Sequence, residues 1–114
     1  MLLRGLACVG IATACLFGSA VQSPVQAACY EEVGCTNKDN FHKDDLFQLS
    51  CQTLGEVRNS IYAENGYCFK SSRYRRMFGN ENCEYETSED VPLNRYERRN
   101  VDLIRRVERA KECD

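Results

Sequence analysis

Eight cysteines constrain this chain more than any other feature, and they fall into two groups. Cys8 and Cys15 lie in an apolar N-terminal stretch, residues 1–27. Cys29, Cys35, Cys51, Cys68, Cys83 and Cys113 lie in the 87 residues that follow. An even set of six in so short a segment reads as three disulfides, provided the chain reaches an oxidising compartment. A segment of this length buries only a modest share of its unfolded surface, and its apolar set is rich in Tyr and poor in Leu. Each bridge contributes roughly 2–4 kcal/mol, enough to rival what the small core leaves as net stability. A zinc site is disfavoured, because no Cys-x-x-Cys occurs and the only histidine is His42. No metal and no cofactor is expected.

The export condition is met by residues 1–27, which read as a signal peptide. Met1–Arg4 supplies a positive start, Gly5–Ala20 is apolar and small, and Pro24 breaks any helix before Val25-Gln26-Ala27. That small-x-small triplet points to cleavage after Ala27; a cut after Ala20 is the runner-up. A retained anchor is disfavoured by the short apolar run and the missing stop-transfer flank. A lipoprotein is disfavoured because neither Cys15 nor Cys29 has a Leu three positions earlier. The expected location is exported, periplasmic or extracellular, with no permanent membrane span in the mature chain. Residues 28–114 carry 32 apolar residues and 14 Lys and Arg against 17 Asp and Glu, net −3. This size excludes two ordinary domains, and the mildly acidic balance argues against nucleic-acid binding.

The expected fold class is mainly α: a small disulfide-stapled helical domain. It has two longer helices (about 51–65 and 95–111), a short helix near 73–78 and an irregular N-terminal arm. The arm spans 28–48, with Cys29 and Cys35 closing a local loop, and the domain proper spans 49–114. Lys43–Leu49 reads as a helical turn anchored by Leu46, Phe47 and Leu49. Ser50 suits an N-cap, and Leu54, Val57 and Ile61 form a core-facing stripe closed by Gly66. Ser72 is expected to cap the short helix and Gly79 to end it. Residues 80–91 read as a polar, acidic loop. Asn94 with Glu97 three residues on is a capping-box pattern. In the last helix Tyr96, Leu103, Ile104, Val107 and Ala110 share one face, with Asn100 in its middle. A polar group there must be hydrogen-bonded, here through a tie expected to reach the first long helix.

The opposite face of that helix gathers Arg95, Arg98, Arg99, Arg105, Arg106 and Arg109, with Asp102 placed to pair with Arg98, Arg105 or Arg106. One reading is a solvated outer face. The other is a docking strip for an anionic partner: an envelope glycan, an acidic lipid or a protein.

Helix length limits the cysteine pairing. A helix of about 14 residues is roughly 20 Å long, whereas a disulfide needs Cα atoms within about 7 Å, so Cys51–Cys68 is disfavoured. With Cys29–Cys35 local, the preferred pairs are Cys51–Cys113 and Cys68–Cys83; Cys51–Cys83 with Cys68–Cys113 stays open.

The run Arg58-Asn59-Ser60-Ile61-Tyr62-Ala63-Glu64-Asn65-Gly66-Tyr67-Cys68-Phe69 resembles the signature of the YARHG domain, named for Tyr-Ala-Arg-His-Gly. Phe78, Tyr85, Leu93, Glu97, Asn100, Val101 and Ile104 stand where that family has its later motif, so the resemblance covers about 49–108. Glu64 and Asn65 stand where the family name has Arg and His. The cysteine pattern resembles an exported, cysteine-stapled branch of the family found in Gram-negative bacteria. The resemblance implies a small helical accessory or interaction module at the cell envelope and brings no established activity. Arg58 and Asn59 are expected to tie the two long helices together, through Asn100 or a carboxylate. A rival reading has Arg58, Asn59, Tyr62 and Asn65 line a small ligand groove.

The expected function is a non-catalytic secreted or periplasmic binding module. No nucleophile elbow and no phosphate-binding loop occurs, and His42 stands alone in a charged segment. The alternative is a small disulfide-rich inhibitor of a secreted hydrolase, presenting the 80–91 loop.

Overall fold

The computed structural model describes residues 28–114; the expected signal peptide, residues 1–27 with Cys8 and Cys15, lies outside them. The described chain is mainly helical. A two-stranded antiparallel ribbon, β1 (Cys29–Tyr30) and β2 (Gly34–Cys35), pairs Cys29 with Cys35 and Tyr30 with Gly34. Helices α1 (Lys43–Phe47), α2 (Cys51–Glu64), α3 (Ser72–Phe78) and α4 (Arg95–Ala110) follow, with a 3-10 turn at Ser88–Asp90. The arm thus opens with a short hairpin and stays irregular from Thr36 to His42, up to α1.

Three of the four α-helices, α2, α3 and α4, start where a side chain accepts from a free N–H group, whereas α1 starts after His42 without a side-chain cap. The Ser50 hydroxyl accepts from the Thr53 N–H. For α3 the cap is Ser71, one residue before the expected Ser72, and it accepts from the Tyr74 N–H. For α4 the full capping box forms: Asn94 Oδ1 accepts from the Glu97 N–H, and Glu97 Oε1 accepts from the Asn94 N–H, both at 2.8 Å. Gly79 ends α3 at φ +73.

α4 packs against both α2 and α1, and α3 packs on α2. The core joins Leu54, Val57 and Ile61 of α2 to Val101, Leu103, Ile104 and Val107 of α4. Phe41 and Leu46, from the arm and α1, are almost wholly buried in it. Three residues expected to face the core are not buried in it. Phe47 is 37% exposed, because adjacent residues on a helix point about 100° apart and Leu46 takes the inward side. Ala110 is exposed and Tyr96 only half-buried, whereas Val101 and Glu97 are buried. The wheel gave the width of the α4 inner face but centred it too far toward Tyr96 and Ala110, since it left out Glu97, whose capping role draws it inside.

Asn100 has no exposed surface. Its Oδ1 accepts from the Phe41 N–H at 3.0 Å, and its Nδ2 donates to Asp39 O at 2.9 Å and Thr36 O at 3.2 Å. Its partners are thus in the N-terminal arm, not in α2. Arg58 ties the long helices instead, donating through Nε and Nη2 to both Glu108 oxygens at 2.9 and 3.0 Å, and Arg105 adds a second tie to the Tyr62 hydroxyl. Asn59 stays on its own helix and donates to Gly55 O.

The described cysteines form Cys29–Cys35, Cys51–Cys113 and Cys68–Cys83. The second clamps the start of α2 to the end of the chain. The third anchors the loop after α3.

Candidate functional site

The site grows from the C-terminal end of α2. Gly66 takes φ +95, a backbone state that side chains disfavour, and the Tyr85 ring lies 3.2 Å from where a Cβ would stand. The turn exposes the Gly66 carbonyl, which accepts from the Glu84 and Tyr85 N–H groups at 2.7 and 3.0 Å. Cys68 N–H then donates to Tyr85 O at 2.8 Å, and Tyr67 bridges Tyr85 in parallel. These bonds and Cys68–Cys83 hold residues 83–85 against the extended residues Tyr67 and Cys68 that leave α2. Behind them the rings of Tyr62, Tyr67, Phe69 and Phe78 follow at 5.9, 4.9 and 5.4 Å between centroids, spacings at which aromatic pairs attract.

A cavity of about 600 Å³ opens between this corner, the hairpin and the loop. Tyr30, Tyr67, Phe78 and Tyr85 supply aromatic wall; Glu64, Glu81 and Glu84 supply carboxylates. Its size is that of a site for a small ligand or a protruding side chain. Glu81 and Glu84 are exposed at the rim.

Glu64 is held differently. Its Oε2 accepts from the Ala28 N–H at 2.8 Å and its Oε1 from the Thr36 hydroxyl at 2.9 Å. Burial raises its pKa above the usual glutamate range; the bonds from Ala28 and Thr36 pull it down, and the nearby Glu97 charge adds to the rise. Among the described residues the ion pairs are Arg58–Glu108, Lys70–Glu86 and Arg73–Glu56, so neither Glu64 nor Glu97 has a side-chain cation.

The structure does not gather Arg58, Asn59, Tyr62 and Asn65 into one groove. Arg58 sits with Glu108 near the Cys51–Cys113 end, Asn59 and Tyr62 are buried, and of the four Asn65 lines the cavity. Asn65 Nδ2 donates to Ile61 O and to Glu97 Oε2 at 2.8 and 3.2 Å, closing α2 and linking it to the α4 cap.

On α4, Arg95, Arg98, Arg99, Arg106 and Arg109 are exposed. Arg98 donates to Leu93 O, and Arg95 lies over the Tyr96 ring. Arg105 leaves the strip: it is half-buried over the Tyr62 ring and donates to the Tyr62 hydroxyl at 3.1 Å. Asp102 joins no ion pair among the described residues, so the expected pairing within the strip does not form. Arg95, Arg98, Arg99 and Arg106 border a shallow hollow of about 300 Å³ around Asp102.

Sequence reasoning missed Tyr30, Glu64, Glu81 and Glu84 as neighbours. The available signal was Glu64 itself, a carboxylate where the signature has arginine. Among the described residues no cluster of three or more His, Cys, Asp or Glu is placed to hold a metal ion, and no helix is long and apolar enough to cross a membrane.

The fold and the corner at Gly66 define a disulfide-stapled helical domain built around one signature turn. Residues 30–109, 80 of the 114, match the YARHG domain, and the chain belongs to that family. The match begins in the hairpin, as the ties from Asn100 to the arm would require. No curated protein and no solved structure matches the chain.

Proposed function

We propose that this chain is a non-catalytic binding module that works outside the cytoplasm at the cell envelope, with the α2 corner cavity as its recognition site. One observation carries this reading: Ala63, Glu64, Asn65, Gly66 and Tyr67, at the heart of the family signature, line the cavity. Aromatic faces beside carboxylates suit a cationic group with an apolar body, through cation–π attraction and charge pairing. An amine-bearing envelope component fits that description. Three disulfides in a chain of this size agree with an oxidising compartment.

The test is retention of the exported, processed protein on peptidoglycan, on acidic-lipid vesicles and on solubilised envelope proteins. Parallel columns carry a Glu81→Lys/Glu84→Lys variant. Specific capture that the rim variant loses supports the reading; no retention above an unrelated protein on any column counts against it. A second reading rests on the exposed arginines of α4, which face solvent without acidic partners, and takes an anionic glycan, lipid or protein. It is favoured if Arg98→Glu/Arg106→Glu abolishes capture and the rim variant does not. Stoichiometric loss of activity of a secreted lysozyme or protease would instead favour an inhibitor presenting the 80–91 loop.

A further inference from the structure

The half-buried carboxylate of Glu64 has two neutral donors and no cation, and one of those donors is the backbone nitrogen of Ala28 at 2.8 Å. Ala28 is gripped on its other side as well, because the Thr36 N–H donates to Ala28 O at 2.9 Å and Thr36 is fully buried. The residue before this nitrogen closes the small-x-small triplet Val25-Gln26-Ala27. We propose that Glu64 is the receptor for a newly made N-terminus: cutting the Ala27–Ala28 bond converts the Ala28 nitrogen into an ammonium that stays seated on the Glu64 carboxylate.

The step consumes one water and needs an endopeptidase of the export route. The water oxygen bonds to the Ala27 carbonyl carbon as the C–N bond breaks. Ala27 leaves as a carboxylate. The Ala28 nitrogen keeps its hydrogen and gains the two of water, becoming –NH₃⁺. A weak neutral donor is thereby exchanged for a charge-assisted one at the same position. The new positive charge also answers the repulsion between Glu64 and Glu97, which no side-chain cation relieves among the described residues. A cut after Ala20 would leave the Ala28 nitrogen an amide and the pair unmade. Maturation then locks the hairpin to the end of α2, with the 29–35 disulfide immediately behind it.

The experiment uses the full chain expressed through an exporting bacterial host. N-terminal sequencing of the folded product is expected to begin at Ala28. Its α-amine is then labelled at mildly acidic pH with an α-amine-selective acylating reagent, and the rate is compared with that of the same chain reduced and unfolded. A pKa raised by one unit leaves about tenfold less free amine, so the folded chain is expected to react about tenfold more slowly. Glu64→Gln is expected to remove that protection. Where Glu64→Gln does not accumulate, Glu64→Asp, which retracts the carboxylate, is expected to lose part of it. A mature terminus other than Ala28, equal rates in folded and unfolded chains, or protection that survives the Glu64 substitution would overturn the proposal. None of these readouts depends on ligand capture.

Discussion

Replacing Asn100 with alanine would strand the buried Phe41 N–H and Thr36 carbonyl and free the half-buried Asp39 carbonyl. A buried polar group left without a partner costs roughly 1–3 kcal/mol, so Asn100→Ala should lose about 3 kcal/mol in denaturant unfolding. Substitution of the exposed Arg99 should change little. Gly66→Ala meets a different obstacle, a positive φ with the Tyr85 ring against the new methyl group; a loss of at least about 1–2 kcal/mol is expected from the backbone alone. Glu64 supplies a pH test. While the Ala28 nitrogen is an amide, burial raises the folded-state pKa above the unfolded one. The folded state then binds more protons across that interval, so stability falls as pH rises through the carboxylate range. Glu64→Gln should remove that fall. Once Ala28 is an ammonium, the ion pair opposes the rise, and the fall should shrink or reverse. Denaturant midpoints against pH, taken on both forms, read the sign directly.

At the scale of elements, α4 depends on its start. Asn94→Ala removes one half of the reciprocal cap and should cost about 1 kcal/mol in the same unfolding assay. That cap was legible because its two residues are three apart in sequence, as were the Leu54, Val57 and Ile61 stripe and the end of α2 at Gly66. The inner face of α4 was legible only in part. Periodicity locates an apolar arc but does not say that Glu97 turns inward to cap, nor that Ala110 lies past the core edge. The hairpin was not legible, since strands of two residues carry no alternation to detect. The partners of Asn100 were not legible either, because they are backbone groups about sixty residues away, and a backbone amide leaves no mark on the sequence. For the same reason the Glu64 receptor stayed hidden: its main partner is the nitrogen of Ala28. Of the cavity lining, the groove read from the signature named only Asn65 correctly; the hairpin and loop walls are brought to it by tertiary packing.

Across the whole molecule the disulfides are unequal. They close separations of 62, 15 and 6 residues. Loop-closure entropy makes these worth about 4, 3 and 2 kcal/mol, so Cys51→Ser/Cys113→Ser should lower the thermal midpoint most and Cys29→Ser/Cys35→Ser least. The charges are also segregated: arginines on the outer face of α4, carboxylates at the cavity rim on the 80–91 loop. A partner that prefers one of these surfaces reports its own chemistry. The most direct test is amide chemical-shift mapping of the processed protein against whichever envelope fraction retains it. Recognition at the signature corner predicts shifts that cluster at residues 63–67 and 81–85 and vanish in Glu81→Lys/Glu84→Lys. Shifts confined to Arg95, Arg98, Arg99 and Arg106, with the signature corner unmoved, would contradict it.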